Sequence, residues 1–187
     1  MFSHRIDDEL EFRLPEEWHA EESNALIKQN YEYLREWLPW VRDDAPLSHT
    51  KDFIRQNLQR FADDDDFSMQ MVFRGRLAGH IGFNNTSREN RKTEIGYWLA
   101  AAFQGHGIVT RACRALVVHA FDERKLNRVE ILCGVGNVRS RRIPERLGFR
   151  QEGVLRQAEW LHERFHDLVV YAMLADEWRA ITEGRNA

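Results

Sequence analysis

The run Glu94-Ile-Gly-Tyr-Trp-Leu-Ala100 reads as a strand and passes almost at once into Gln104-Gly105-His106-Gly107-Ile108-Val109-Thr110, which opens an amphipathic helical pattern. Two glycines let bare backbone approach a ligand closely. The N–H groups of a helix's first turn lack intrahelical partners, so they can point at an anion beside the positive end of the helix dipole. A strand–glycine–helix junction of this kind is either a phosphate cradle, suited to a ligand carrying a pyrophosphate, or a tight packing turn. The rest of the chain has to decide between them.

Downstream of the junction, Ile108, Ala112, Leu116 and Phe121 form a stripe widened by Val109, Cys113, Val117 and Ala120, the pattern of a helix buried on a sheet. Asn127 to Val135 reads as a strand with Val129, Ile131 and Cys133 on one face. Asn137 to Leu147 reads as a short helix closed by a left-handed Gly148. Two further strands, Phe149–Leu155 and Phe165–Leu174, flank a segment around Glu159-Trp160-Leu161-His162-Glu163, and a short C-terminal helix follows. Upstream, Met69, Met71 and Phe73 alternate. Gly75 then turns the chain into Leu77–Phe83, a β-hairpin followed by a polar turn over Asn84–Asn90. Residues 4–14 alternate loosely as an edge strand. Pro15 opens a helical stretch that ends at Pro39, and a second helix runs from Ser48 or Thr50 into the acidic turn Asp63–Asp66. The sum is an α+β fold, α/β in looser usage: a mixed central sheet of about seven strands flanked by helices.

A chain of 187 residues fits one domain, residues 1–187, with a good-sized core. No apolar run approaches the roughly 20 residues needed to cross a bilayer, and the charged start lacks an export core, so no membrane role and a cytoplasmic location are expected. A formal charge of −3 argues against nucleic-acid binding through a broadly basic face. Cys113 and Cys133 have no CxxC spacing and no neighbouring histidines, so they read as buried fillers, and no metal site is expected.

The order strand, QGHG, buried helix and strand, followed by Asn137-Val-Arg-Ser140-Arg-Arg-Ile-Pro-Glu-Arg-Leu-Gly148-Phe149, resembles the GNAT superfamily of N-acetyltransferases. The later Gln157-Ala-Glu159-Trp160-Leu161 and His166-Asp167 resemble its branch acting on the N-termini of ribosomal proteins. The resemblance implies acetyl-CoA as cosubstrate, without metal, in a V-shaped splay between the strands Glu94–Ala100 and Arg128–Val135. The pantetheine arm would hydrogen-bond to backbone near Tyr97, Trp98 and Leu99. The pyrophosphate would meet the N–H groups of Gly105, His106, Gly107, Ile108, Val109 and Thr110 after Gln104, and Asn137 would approach the pantetheine or thioester. Val109 stands where the superfamily prefers a smaller residue, so it would crowd the phosphate. Arg111 would add charge or remain an ordinary surface residue.

Acyl transfer to an amine needs a base for the amine, a polarised carbonyl and a proton for the departing thiolate. The superfamily's usual tyrosine position is Pro144 here, which makes Ser140 the replacement acid or, alternatively, only a helix cap. Glu159 is the candidate base, with adjacent Trp160 reducing its solvation, against the plainer reading of a solvated loop carboxylate. Trp40, Asn84 and Trp160 are the candidate acceptor contacts, and the His166-Asp167 pair is either a further contact or a structural pair. The resemblance therefore implies acetylation of a primary amine, foremost a protein N-terminus. A small amine acceptor and a catalytically silent acyl-CoA-binding module remain the alternatives, and a homodimer is expected as in relatives of this branch.

Overall fold

Alternating apolar residues form strands wherever a neighbouring strand can take up their backbone hydrogen bonds. The computed structural model describes residues 2–42 and 45–184. Among them, eight strands form: β1 (Ser3–Arg5), β2 (Leu10–Arg13), β3 (Phe67–Phe73), β4 (Arg76–Ser87), β5 (Lys92–Leu99), β6 (Arg128–Gly134), β7 (Arg150–Leu161) and β8 (Arg164–Leu174). They hydrogen-bond in the order β1-β2-β3-β4-β5-β6-β8-β7 as a mixed sheet, with β5–β6 parallel. The extra strand relative to the expected seven comes from residues 4–14. Asp7 Oδ1 accepts from the N–H groups of Glu9 (2.9 Å) and Leu10 (3.0 Å), turning the chain so that β1 and β2 pair antiparallel. The helices are α1 (Ala20–Gln29), α2 (Tyr31–Arg35), α3 (Leu47–Ala62), α4 (Ile108–Val118), α5 (Val138–Leu147) and α6 (Ala175–Glu183). None among the described residues is long and apolar enough to cross a membrane.

The chain divides into two compact units. In Met1–Phe83 with Tyr97–Ala112, the core is built on Leu10, Phe12, Ile54, Met71, Ile81 and Phe83, all nearly inaccessible to solvent. The helical stretch expected from Pro15 to Pro39 is broken at Asn30. Its side chain donates to the Leu26 carbonyl (2.8 Å) and accepts from the Ala101 N–H (2.9 Å), which ties the break to a turn far along the chain. Asn57 of α3 extends β3 with an amide, donating to the Ser68 carbonyl (2.9 Å) and accepting from the Ser68 N–H (2.6 Å). A Cβ at Gly79 would collide with the Trp98 carbonyl, so only glycine lets β4 approach β5 this closely.

In Asn84–Gly96 with Cys113–Ala187, β6 turns Val129, Ile131 and Cys133 inward, as its sequence alternation requires, and pairs antiparallel with β8 from Arg128–Leu174 to Gly134–Leu168. The parallel ladder of β6 with β5 covers Lys92–Arg128, Thr93–Val129 and Glu94–Glu130, while Ile95 and Gly96 carry β5 past the last of these pairs. Two expected loops are strand instead. The polar segment after Phe83 continues β4 to Ser87, held by the Thr86–Thr93 hydroxyl pair at 2.7 Å. Residues 159–161 complete β7, paired to β8 through Glu159–His166, Trp160–Phe165 and Leu161–Arg164. His162 and Glu163 make the two-residue turn with φ of 53° and 58°, the left-handed backbone usually signalled by Asn-Gly.

Candidate active site

The glycine-rich turn belongs to the first unit. A short 3-10 turn at Ala101–Phe103 leads into an extended Gln104, and Gly105 and Gly107 take φ of 82° and 69°, which residues with a Cβ rarely adopt. Beyond each glycine and its two chain neighbours, no heavy atom lies within 4 Å of where a Cβ would stand, so the turn has an open flank rather than a packed one. Helix α4 starts at Ile108, and the first bond closing its turn runs from the Arg111 N–H to the Gly107 carbonyl (3.0 Å). Ile108 and Val109 are buried, so the valine places its methyl groups among protein atoms, and its N–H belongs to the helix's first turn with those of Ile108 and Thr110.

Arg111 is engaged with protein rather than free at the surface. Its guanidinium bonds Asp7 Oδ2 at 2.7 Å, Glu9 Oε2 at 3.4 Å and the His106 carbonyl at 3.2 Å, and it lies 5.6 Å from the Phe73 ring centre. The His106 ring packs at 5.4 Å from that same phenyl. Burial opposes ionisation of Asp7, but the Glu9 and Leu10 N–H groups and Arg111 outweigh it and hold the carboxyl below its ordinary range. On the strand leading to the turn, Trp98 stacks on His80 (5.2 Å, 13° between planes) and faces Trp40, which is 49% exposed, at 6.3 Å. His80 is fully buried between the Ser23 (3.4 Å) and Ser68 (3.5 Å) hydroxyls. Desolvation, helped by the Arg13 charge, lowers its pKa to about 3.

In the second unit, α5 presents Ser140 in its first turn. The capping role falls to Asn137, whose Oδ1 accepts from the Ser140 N–H at 3.1 Å, which leaves the Ser140 hydroxyl to share a hydrogen bond with Cys133 Sγ at 3.2 Å. Pro144 supplies no N–H to the Ser140 carbonyl one turn back, and Gly148 closes the helix at φ 85°. Arg141 fastens the same turn to β8. It donates to the Tyr171 hydroxyl (3.0 Å), which donates in turn to Glu145 (2.8 Å), and it also holds the Val135 carbonyl (3.1 Å). Serine is thus held rigidly on the helix that follows β6.

Glu159 is half-buried in β7, and burial raises its carboxyl above the ordinary range, opposed by the charge of its cross-strand partner His166. Its chain neighbour Trp160 turns the other way. Successive strand residues point to opposite faces, and Trp160 is 56% exposed against Phe165, with ring centres 4.7 Å apart. His166 and Asp167 take structural bonds: His166 Nε2 with the Leu161 carbonyl (3.0 Å) and Asp167 Oδ1 from the Gln157 N–H (2.8 Å). Asn84 lies over Gly96, where a Cβ would meet its amide nitrogen.

The first unit therefore gathers Trp40, Tyr97–Leu99 and Gln104–Thr110, and the second gathers Asn137 with Ser140, Glu159 with His166, and Asn84 with Gly96. Sequence reading missed Cys133 as the partner of the Ser140 hydroxyl, seven residues away across a strand-to-helix turn, and Asp7 and Glu9 as the partners of Arg111, more than 100 residues back. Chemically, these parts amount to unpaired N–H groups for an anion, a hydroxyl able to donate to a leaving group, and a carboxyl with raised proton affinity.

Residues 9–150 match the acetyltransferase (GNAT) domain family. A putative ribosomal N-acetyltransferase of Bacillus subtilis strain 168, YdaF, is 39% identical over 95% of this chain and 98% of its own length. The ribosomal-protein-serine acetyltransferase of Escherichia coli K12 is 32% identical over 92% of this chain and 96% of its own. Among solved structures, the microcin C7 self-immunity acetyltransferase MccE, in complex with acetyl-CoA and AMP, matches with a TM-score of 0.87 at 32% identity, covering 90% of this chain and 94% of that one.

Proposed function

The chain belongs to the GNAT acetyltransferase family, and we propose that it moves the acetyl group of acetyl-CoA onto the N-terminal α-amine of a ribosomal protein, using residues 1–187 as one catalytic domain. The observation that carries the transfer reading is the 105–107 turn, where two left-handed glycines with open flanks precede the first turn of α4, whose N–H groups lack intrahelical partners. That room and that polarity fit a diphosphate. The acceptor is read from two near-full-length relatives named for ribosomal acetylation, and the cosubstrate from a similar enzyme bound to acetyl-CoA.

The N–H groups of Gly105 to Thr110 would hold the diphosphate, backbone at Tyr97–Leu99 would hold the pantetheine arm, and Asn137 is the proposed polar contact for the pantetheine or thioester. The β5–β6 ladder, which ends at Glu94–Glu130 while β5 continues, supports a splay there. Glu159 takes the proton of the acceptor ammonium, directly or through one water, and its raised proton affinity suits the task. The freed nitrogen then bonds the acetyl carbon, the carbon–sulfur bond breaks, and the nitrogen's second proton passes to water, which balances the proton that Ser140 gives up. Ser140 donates its hydroxyl hydrogen to the departing sulfur, and water restores it. Trp40, Asn84 and Trp160 are the proposed acceptor contacts. A ribosomal acceptor places the reaction in the cytoplasm. A homodimer would use the edge strand β7, where Val154 and Leu155 are each 47% exposed, and sedimentation at varied concentration tests it.

The likeness to MccE, crystallised with AMP, favours a small amine acceptor as the second reading. Thiol release from acetyl-CoA separates the two. The test uses peptides with a free N-terminal serine or alanine, the same peptides blocked at the α-amine but carrying lysine, polyamines, and amino-acid adenylate analogues. Release with free N-termini alone supports the ribosomal reading, and release only with the small amines overturns it.

A further inference from the structure

Resting on the reading of the 105–107 turn as the diphosphate cradle, we infer that Arg111, held by Asp7 and Glu9, is the positioning residue that aims the Gly107 N–H at the ligand. A trans peptide points its carbonyl and its N–H in opposite directions within one plane. Arg111 donates to the His106 carbonyl at 3.2 Å, so the carbonyl of the His106–Gly107 peptide faces the guanidinium and the Gly107 N–H faces away from it. Gly107, with no Cβ, leaves that peptide room to rotate about its φ of 69°, and a plane flipped in the other sense would turn an oxygen lone pair toward the anion. The turn therefore needs an outside grip, and one side chain supplies it.

The grip is itself held. Arg111 Nη1 bonds Asp7 Oδ2 (2.7 Å) and Glu9 Oε2 (3.4 Å), its guanidinium lies over the Phe73 ring, and Arg74 bonds Glu9 Oε1 through Nε (2.9 Å) while covering the same ring at 5.0 Å. Asp7 is fixed in turn by the Glu9 and Leu10 N–H groups. With both carboxylates on it, Arg111 is not the cation that meets the phosphate. It acts through the peptide it orients, and the ordering is completed before the ligand arrives.

The test compares two thioesters in the full-length enzyme: acetyl-CoA, and S-acetylpantetheine, which lacks the diphosphate. Arg111→Gln should lower kcat/KM for acetyl-CoA and CoA affinity by roughly tenfold, the scale of one charge-assisted hydrogen bond, and leave S-acetylpantetheine nearly unaffected. Asp7→Asn, which keeps the acceptor for the Glu9 and Leu10 N–H groups, should shift the same ratio in the same direction by less, and it decides the matter if Arg111→Gln does not fold. Equal losses for both thioesters, or no loss for either, overturn the inference. Gly107→Val separates this from failure of the underlying reading. If it weakens CoA while Arg111→Gln and Asp7→Asn do not, only the positioning role falls. If none of the three weakens CoA, the cradle itself lies elsewhere and both fall.

Discussion

His80 gives the chain an acid sensitivity that can be worked out from its surroundings. The imidazole is enclosed by Trp98, Phe53 and the hydroxyls of Ser23 and Ser68, and burial holds its pKa at about 3 against an ordinary 6.5. Below pH 6.5 the unfolded chain takes up a proton that the folded protein refuses, so stability falls as the pH drops and the loss is complete near the folded value of about 3. One proton over this window amounts to about 2.5 kcal/mol between about pH 6 and about pH 4. His80→Gln keeps hydrogen-bonding capacity toward the two serines and does not titrate. Urea unfolding of both proteins at the two pH values cancels the carboxylates they share, and the wild type should lose about 2.5 kcal/mol more than the variant. Parallel losses would mean that His80 is protonated in the fold and that its burial has been misjudged.

At the proposed active site, Glu159→Gln should lower turnover by about 10²–10⁴-fold with CoA affinity nearly unchanged, measured by thiol release and calorimetry, and near-wild-type turnover would remove Glu159 from the mechanism. The acidic limb of the kcat/KM profile should lie above the ordinary carboxylate range, because the base must be deprotonated and burial raises its pKa. His166→Gln removes the charge that opposes this rise, so the limb should move to still higher pH, and a fixed limb would assign it to another group. Ser140→Ala should lower kcat by about 10²-fold or more without weakening CoA, and retention of wild-type kcat would leave the hydroxyl as a mere partner of Cys133.

Much of this was legible in the sequence because local rules govern it. The left-handed Gly148, the inward face of Val129, Ile131 and Cys133, and the glycine turn before α4 all follow from spacing a few residues wide. What stayed hidden depends on partners far along the chain. Asn30, where the helix breaks, accepts from the Ala101 N–H, 71 positions away, and Arg111 pairs with Asp7, 104 positions back. The β7–β8 turn was masked for a different reason. His162 and Glu163 carry a left-handed backbone without the glycine or asparagine that usually announces it, so Glu159 and Trp160 read as loop residues when they are paired strand. At the site, sequence named Ser140 and Glu159 but left their surroundings open: Asn137 caps the helix, so Ser140 does not, and burial raises Glu159.

The most direct test of N-terminal acetyl transfer is to incubate the enzyme with deuterated acetyl-CoA and free ribosomal proteins, then locate the label by tandem mass spectrometry. The account requires it on the α-nitrogen of an N-terminal residue, and lost when Glu159→Gln replaces the wild type. Label confined to lysine side chains, or absent from every protein while a small amine is acetylated, would contradict it.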